Sequence, residues 1–566
     1  MKKLIIYNLI LLLLFPSILE AQSITTTKHN LSASGPGANK SISETEICLF
    51  CHTPHSNKPV APLWNRTDPG LSYTLYSSST LQSLPGQPDG ASILCLSCHD
   101  GTVALGSVLS RPSTINFSGG TFMPSGVNNL TRNLRNDHPV SFLYDAALAI
   151  ADGQLKQPSG ITPPVSLKKG KMQCTSCHDP HKNIYSDFLV TTSDNSNLCN
   201  SCHQRTYWYE SSHNTSTKTW NGASPDPWPF TQTSMTTVTQ NACESCHNPH
   251  NGGSNIMLLQ YQAEESNCLN CHNGNVGAKN ISAQFTKTYR HNITNYLNIH
   301  SADEGSQVTS MHVECVDCHN PHAAKSLTAV PPAVNGSLAG MKGINQSGLP
   351  VIQATNSYEV CYRCHAGSSG APASATARLI TQNNSRLEFA PGNPSFHSVA
   401  AIGVNTTVPS LIMPWTSTSR MYCTACHSSD GTGSPAGPHG SIYPQILKLQ
   451  YLKTDNGTNT TGTLESATAY ALCYSCHNRA SILADASFKK HSQHIGKQIP
   501  CNSCHDPHGI SSTQGNSTNN TNLINFRASV VTVAAPGVAI RFEDQGSFKG
   551  RCYLTCHGKV HNPLSY

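Results

Sequence analysis

The chain has 566 residues and a formal net charge of +6, and only 12% of its residues are charged, against roughly 25% in ordinary soluble domains. Apolar residues make up 37%, while Gly (40), Pro (35), His (28) and Cys (24) are plentiful. Lys and Arg form no long run, which leaves nucleic-acid binding without support, and the apolar side chains are too few for a conventional core, so something else must fill the interior.

In chain order, Met1–Ala21 reads as a secretory signal peptide: Lys2 and Lys3 form a basic start, Leu4–Phe15 a mainly apolar stretch, and Ser17–Ala21 the approach to cleavage. The apolar run is short of the ~20 residues that a membrane span needs, and no later segment is apolar enough to serve. The expectation is export to the periplasm, the outer surface or the extracellular space, with no transmembrane segment in the mature chain. Residues 22–47 are polar and Ser/Thr-rich around Gly35-Pro36-Gly37. Further on, Ala146–Leu155 and Glu465–Tyr474 are predicted as short helices, and Val530–Phe542 as a strand pair about Pro536-Gly537. The Asn- and Thr-rich stretches 456–463 and 516–522 read as surface loops. The predicted fold is mostly coil with short α-helices and little β.

Twelve cysteine pairs, each followed directly by His, punctuate these elements and use all 24 cysteines. The first six boxes are Cys48/Cys51/His52, Cys95/Cys98/His99, Cys174/Cys177/His178, Cys199/Cys202/His203, Cys243/Cys246/His247 and Cys268/Cys271/His272. The next five are Cys315/Cys318/His319, Cys361/Cys364/His365, Cys423/Cys426/His427, Cys473/Cys476/His477 and Cys501/Cys504/His505, and the twelfth, Cys552/Cys556/His557, has three intervening residues instead of two. Two cysteines at this spacing can each add to a vinyl group of one haem, and the adjoining His then lies under the iron as its proximal ligand. A redox dithiol does not require that His, and a zinc ribbon needs two pairs per metal and has no use for it. The recurrence selects haem c, twelve times over, and the macrocycles are then what fills the interior.

The boxes alternate, which makes them an internal repeat. Odd-numbered boxes are followed by a Pro-His pair, giving His55, His181, His250, His322, His508 and, after a longer Gly-rich loop, His439. Even-numbered boxes lack it. The pattern divides the chain into six two-haem units: 22–136, 137–212, 213–290, 291–396, 397–490 and 491–566. Subtracting twelve proximal ligands leaves sixteen of the 28 histidines, enough to cap every iron a second time. Beyond the Pro-His set, His29, His138, His213 and His397 stand alone in the segments before odd boxes. His291, followed by Asn as His213 is, is preferred to His300 and His312. His491 competes with His494, and His561 is either spare or a terminal ligand. Only nine Met exist, none in register, so His/His ligation is expected over His/Met. An iron with two imidazoles has no vacant position for substrate, which favours electron transfer.

K-H-N-L-S with G-P-G, then I-C-L-F-C-H-T-P-H and A-P-L-W-N-R, and later D-H-P-V, E-C-V-D-C-H-N-P-H and G-P-H-G-S, resemble the paired-box multihaem cytochromes c of metal-reducing bacteria. The resemblance implies an exported electron carrier serving redox partner proteins or extracellular electron acceptors. Some relatives polymerise into haem-lined filaments with an axial His given across the subunit interface, so a homo-polymer is a further expectation. The chain departs from the pattern at the long loop before His439 and at the last box. The competing reading is a multihaem oxidoreductase of the nitrite, hydroxylamine or tetrathionate type with one open haem, for which the twelfth box, with Tyr553, is the place to look. The conduit reading assigns no catalytic residue.

Overall fold

The computed structural model describes residues 24–55, 61, 63–295, 304–310, 312–368, 373–458, 461–513, 516 and 518–566. The signal-peptide reading and His300 lie outside them. The fold is mostly coil, with short helical turns and few strands.

The longest helices are α1 (Gly90–His99) and α2 (Ser357–His365), and each ends on the His of a box. A capping box starts α2: Asn356 takes the amide of Glu359, whose carboxylate in turn accepts the Asn356 N–H at 3.2 Å. The helix expected at Ala146–Leu155 is present as Ala146–Asp152, started by Asp145 accepting the Leu148 amide and stopped by Gly153 at φ 72°. The helix expected at Glu465–Tyr474 shrinks to Ala471–Tyr474. Glu465, its intended first turn, spends its carboxylate on Arg479 and Tyr474 instead.

At the C-terminus, β1 (Val531–Thr532), β2 (Arg541–Asp544), β3 (Gly550–Cys556) and β4 (Lys559–Ser565) form one antiparallel sheet. The strand pair expected within Val530–Phe542 does not form, because β1 and β2 both pair with β3, by Val531↔Cys556 and Phe542↔Cys552. Val531, Phe542 and Leu554 bury together with Phe526, an apolar gain that pairing β1 to β2 alone would not give.

Backbone contacts group the described residues into two compact units, one drawn from residues 24–205, 230–235 and 240–262 and one from residues 206–229, 236–239 and 263–566. Neither has one continuous core. The first holds separate clusters such as Tyr73–Leu96–Leu134 and Phe142–Tyr144–Leu148–Met172, and the second clusters such as Tyr358–Tyr362–Phe389–Phe396. Buried arginines brace the coil between them. Arg66 is fully buried and donates to the carbonyls of Ser97, Ala104 and Leu105 at 2.7–3.0 Å. Arg378 donates likewise to Asn502, His505 and Asn525. A guanidinium has five donors and no acceptor, so it can satisfy several loop carbonyls at once where no helix or sheet does. Among the described residues, no helix is long and apolar enough to cross a membrane.

Candidate metal centres

Eleven boxes close as a single helical turn. The amide of the His donates to the carbonyl of the first Cys, for example His52 to Cys48 at 2.7 Å, His178 to Cys174 at 3.0 Å and His505 to Cys501 at 2.9 Å. In α1 and α2 the same turn is the last of the helix. Residues three apart on a helical turn are neighbours on one face, so both sulfurs point at one macrocycle edge. The twelfth box is built differently. Cys552 and Cys556 both lie in the extended β3, where four residues cover about 13 Å. His557 follows at the hairpin turn with φ 48°, its imidazole buried 3.3 Å from an Asp455 carboxylate oxygen. The one-turn geometry thus fits covalent haem at eleven boxes and is absent from the twelfth.

The box histidines face other histidines. In the first unit His52 faces His181 (ring centroids 6.0 Å, planes 14° apart) and His178 faces His250 (6.1 Å, 38°). In the second, His319 faces His439 (6.1 Å, 17°) and His427 faces His508 (6.0 Å, 51°). Each of these Pro-His residues therefore meets the preceding odd box, not its own. The lone histidines meet even boxes nearly edge-on: His29 with His99 (6.2 Å, 72°), His138 with His203 (6.3 Å, 79°) and His213 with His272 (6.2 Å, 80°). His491 meets His505 of box eleven (6.3 Å, 40°). Two metal–imidazole bonds of about 2 Å each, plus the two ring radii, fill a gap of roughly 6 Å.

Other predicted ligands fall elsewhere. His55 is exposed, and among the described residues no histidine ring faces it. The offset of one odd box explains this, since the first Pro-His has no preceding box to meet. His322 packs on Trp208, with centroids 5.9 Å apart. His312 is buried between Glu304 and Asp317, at 3.5 and 3.4 Å. His494 lies beside Tyr566, and the Tyr566 hydroxyl bonds His561 Nδ1.

The outer ring nitrogens settle the tautomer. Nδ1 contacts the carbonyl of Asn128 in His99 (2.8 Å), Asp187 in His178 (2.8 Å), Met257 in His247 (2.8 Å), Ser337 in His319 (2.7 Å) and Gln445 in His427 (2.8 Å). A carbonyl only accepts, so Nδ1 carries the proton and Nε2 keeps its lone pair for a metal. Four of the opposing rings follow the same rule with a carbonyl from the Pro-His dipeptide itself: His29 donates to Pro180 (3.1 Å), His213 to Pro321 (2.8 Å), His291 to Pro438 and His397 to Pro507. Sequence reasoning missed this second use of the Pro-His motif.

Two protein-family models match the chain. Residues 166–206 match the doubled CXXCH motif, and residues 235–392 match the outer membrane cytochrome MtrC/MtrF-like domains II/IV. The chain is a multihaem c-type cytochrome. No curated protein matches it.

Short bridges hold the facing histidines of this cytochrome in register. Ser395–Phe396 pairs with Gly509–Ile510 and sets His397 beside His508, and Tyr289–Arg290 pairs with Gly440–Ser441 and sets His291 beside His439. In the first unit the His138 amide donates to Pro249 and the Gly252 amide to Asn136, both at 2.8 Å. Gly509 sits at φ +150°, and a Cβ there would come within 2.3 Å of the Glu388 carbonyl, so the close approach requires glycine.

The thiols join consecutive boxes a second way: Cys95 lies against Cys174, Cys199 against Cys243, Cys361 against Cys423, and Cys473 against Cys501. The sulfurs of Cys268 and Cys315 lie within 4.8 Å of each other. Each of these contacts is made by the first cysteine of a box. Both cysteines of a box are expected as thioether sites, Cys271 and Cys476 among them. These two are half-buried and close their turns in the ordinary way, the Cys271 amide donating to Cys268 at 3.3 Å and the Cys476 amide to Cys473 at 3.2 Å. The Cys271 carbonyl takes the Gly277 amide at 2.9 Å and so folds the following loop back on box six, while the Cys476 sulfur lies 3.6 Å from the hydroxyl of adjoining Ser475.

Burial pushes the facing imidazoles towards the neutral form, which is the form that binds a metal. His203 falls to about 3 and His272 and His439 to about 4, with neighbouring histidines adding to the effect. His365 and His477 also fall to about 4, through burial and then, among neighbouring charges, chiefly His291 and His397 respectively. His508 is the exception. Burial lowers it, but the hydrogen bond and charge of Glu388 carry it above its ordinary value.

Proposed function

We propose that this multihaem electron-transfer cytochrome is an exported conduit in which each haem iron is held by two histidines and no haem has substrate chemistry of its own. Bound haem c supplies a one-electron couple at its iron. The histidine pairs at 6.0–6.3 Å carry the reading. They can fill both axial positions and exclude a substrate from the iron, and in most pairs at least one imidazole is fixed through Nδ1.

The proposed distal ligands are His29, His138, His181, His213, His250, His291, His322, His397, His439, His491 and His508, with His494, which feels the charge of His557, for the twelfth haem and His55 left over. At box eleven His491 is preferred to His494 because it faces His505. Haem is proposed at all twelve boxes, the twelfth on its motif alone. Cys271 and Cys476 remain proposed thioether sites on the same turn geometry as the other second cysteines.

Two joints alternate along the chain. A Pro-His dipeptide ties an odd box to the even box after it, since its His faces the first and its Pro carbonyl holds the ligand that faces the second. A thiol contact ties that even box to the next odd one. On this pattern the haems follow sequence order, boxes one to five in the first unit and six to eleven in the second. Export rests on the leader sequence and on the outer-membrane character of the matched family, and redox proteins or extracellular acceptors are the proposed partners.

Adding cyanide, nitrite or hydroxylamine to the ferric holoprotein tests the reading. Unchanged spectra are expected, and a shift at one haem would replace the conduit with a reductase.

A second reading, a filament subunit, draws on exposed His55 as a ligand offered to another copy. Because His491 already faces box eleven within the chain, the pairs as they stand require no such donation. Size measurement of the wild type beside His55→Ala decides: filaments lost in the variant would establish the second reading, and equal sizes would dismiss it.

A further inference from the structure

Two of the facing histidines are held by carboxylates instead of carbonyls. His250 Nδ1 lies 3.2 Å from Asp137, and His508 Nδ1 lies 2.9 Å from Glu388. Both carboxylates are nearly out of solvent, at 4% and 9% side-chain exposure. Asp137 also takes the Asn251 amide at 3.1 Å on the same oxygen, and its other oxygen has no hydrogen-bond partner. The two sites occur once in each unit, on the third and the ninth box. A third carboxylate repeats the arrangement in the open: Asp179 stands 3.4 Å from His181 Nδ1, with 32% and 61% side-chain exposure.

We propose that Asp137 and Glu388 are positioning residues that set the reduction potentials of the haems at boxes three and nine, making them the most negative of their units. The proposal rests on the two-histidine reading above. A ferric centre carries one more positive charge than a ferrous one. A buried anion hydrogen-bonded to the axial imidazole attracts that charge through a low dielectric and makes the imidazole a stronger donor, so it favours the oxidised state. A backbone carbonyl in the same place offers a dipole but no charge. Asp179 faces water, which screens most of its effect. Electrons entering either unit therefore fill boxes three and nine last, so each unit carries an internal step in its course.

The test is a spectroelectrochemical titration of holoprotein carrying Asp137→Asn, Glu388→Gln or Asp179→Asn, with Asp137→Glu and Glu388→Asp as charge-retaining controls. Asp137→Asn and Glu388→Gln each keep the shape and lose the charge. Each is expected to move one of the most negative steps positive, changing the reduced-to-oxidised ratio of that haem by about tenfold, the difference between a charged and a neutral hydrogen bond. The charge-retaining controls restore the wild-type step, and Asp179→Asn shifts its haem far less. Superimposable titrations with all haems six-coordinate and low-spin would overturn the proposal and leave the conduit standing. Wild-type protein without two-histidine spectra would overturn the reading beneath it. The two sites test the idea independently, so a folding failure at one leaves the other decisive.

Discussion

His52 and His181, far apart along the chain, face each other with centroids 6.0 Å and planes 14° apart. The Pro-His pair that looks in sequence like the second half of box three thus lies against box one. Replacing His181 with Ala is expected to leave the haem of box one attached through Cys48 and Cys51 but five-coordinate and high-spin. His55→Ala is expected to leave every haem low-spin. Resonance Raman spectra of the two variants check both statements.

Arg66 holds two loop carbonyls, a carbonyl in the last turn of α1 and the Ser97 hydroxyl from a fully buried position. Arg66→Ala strands those acceptors without water, at about 1–3 kcal/mol for each buried group left unsatisfied. A loss of about 3 kcal/mol in unfolding free energy is expected, and Arg66→Lys should recover only part of it, because an ammonium cannot span the same fork. Denaturant titration followed by the haem absorption of the holoprotein measures this.

At Gly509 a side chain meets the Glu388 carbonyl and Phe396 together. Gly509→Val is expected to part the bridge between Ser395–Phe396 and Gly509–Ile510, costing about 2 kcal/mol. It should convert the haems at boxes nine and ten together to high spin, because His508 and His397 are set by the same bridge. A change at only one of them would mean that the bridge does not couple the two ligands.

Intact-protein mass spectrometry is expected to show twelve haem increments, and a peptide holding Cys552 and Cys556 should carry one of them. Eleven increments with both thiols free would mark the C-terminal strand as a structural hairpin.

The attachment boxes were legible in the sequence because their chemistry is local: one helical turn contains both cysteines and the histidine. The short helix after Asp145 was legible for the same reason, its cap and its stop both lying within the segment. The pairing of ligands was not. That His181 belongs to His52, or that His55 is left over, depends on which distant box the chain brings alongside, and no spacing records it. The strand pair around Pro536-Gly537 failed likewise, since β3 lies beyond the window in which an alternating pattern can be read. Asp137 and Glu388 gave no signal at all, as a carboxylate that holds a ligand looks in sequence like any other acidic residue.

The most direct test of the histidine pairs is low-temperature electron paramagnetic resonance of the ferric holoprotein. Nearly parallel imidazoles split the iron d orbitals strongly, and perpendicular ones leave them almost degenerate, so ring angles of 14° and 17° at boxes one and seven must give a different signal from 72–80° at boxes two, four and six. Every iron is expected to be low-spin, and the spectrum is expected to separate into a rhombic class and a strongly anisotropic class. A stoichiometric high-spin iron, or a single low-spin class, would contradict this.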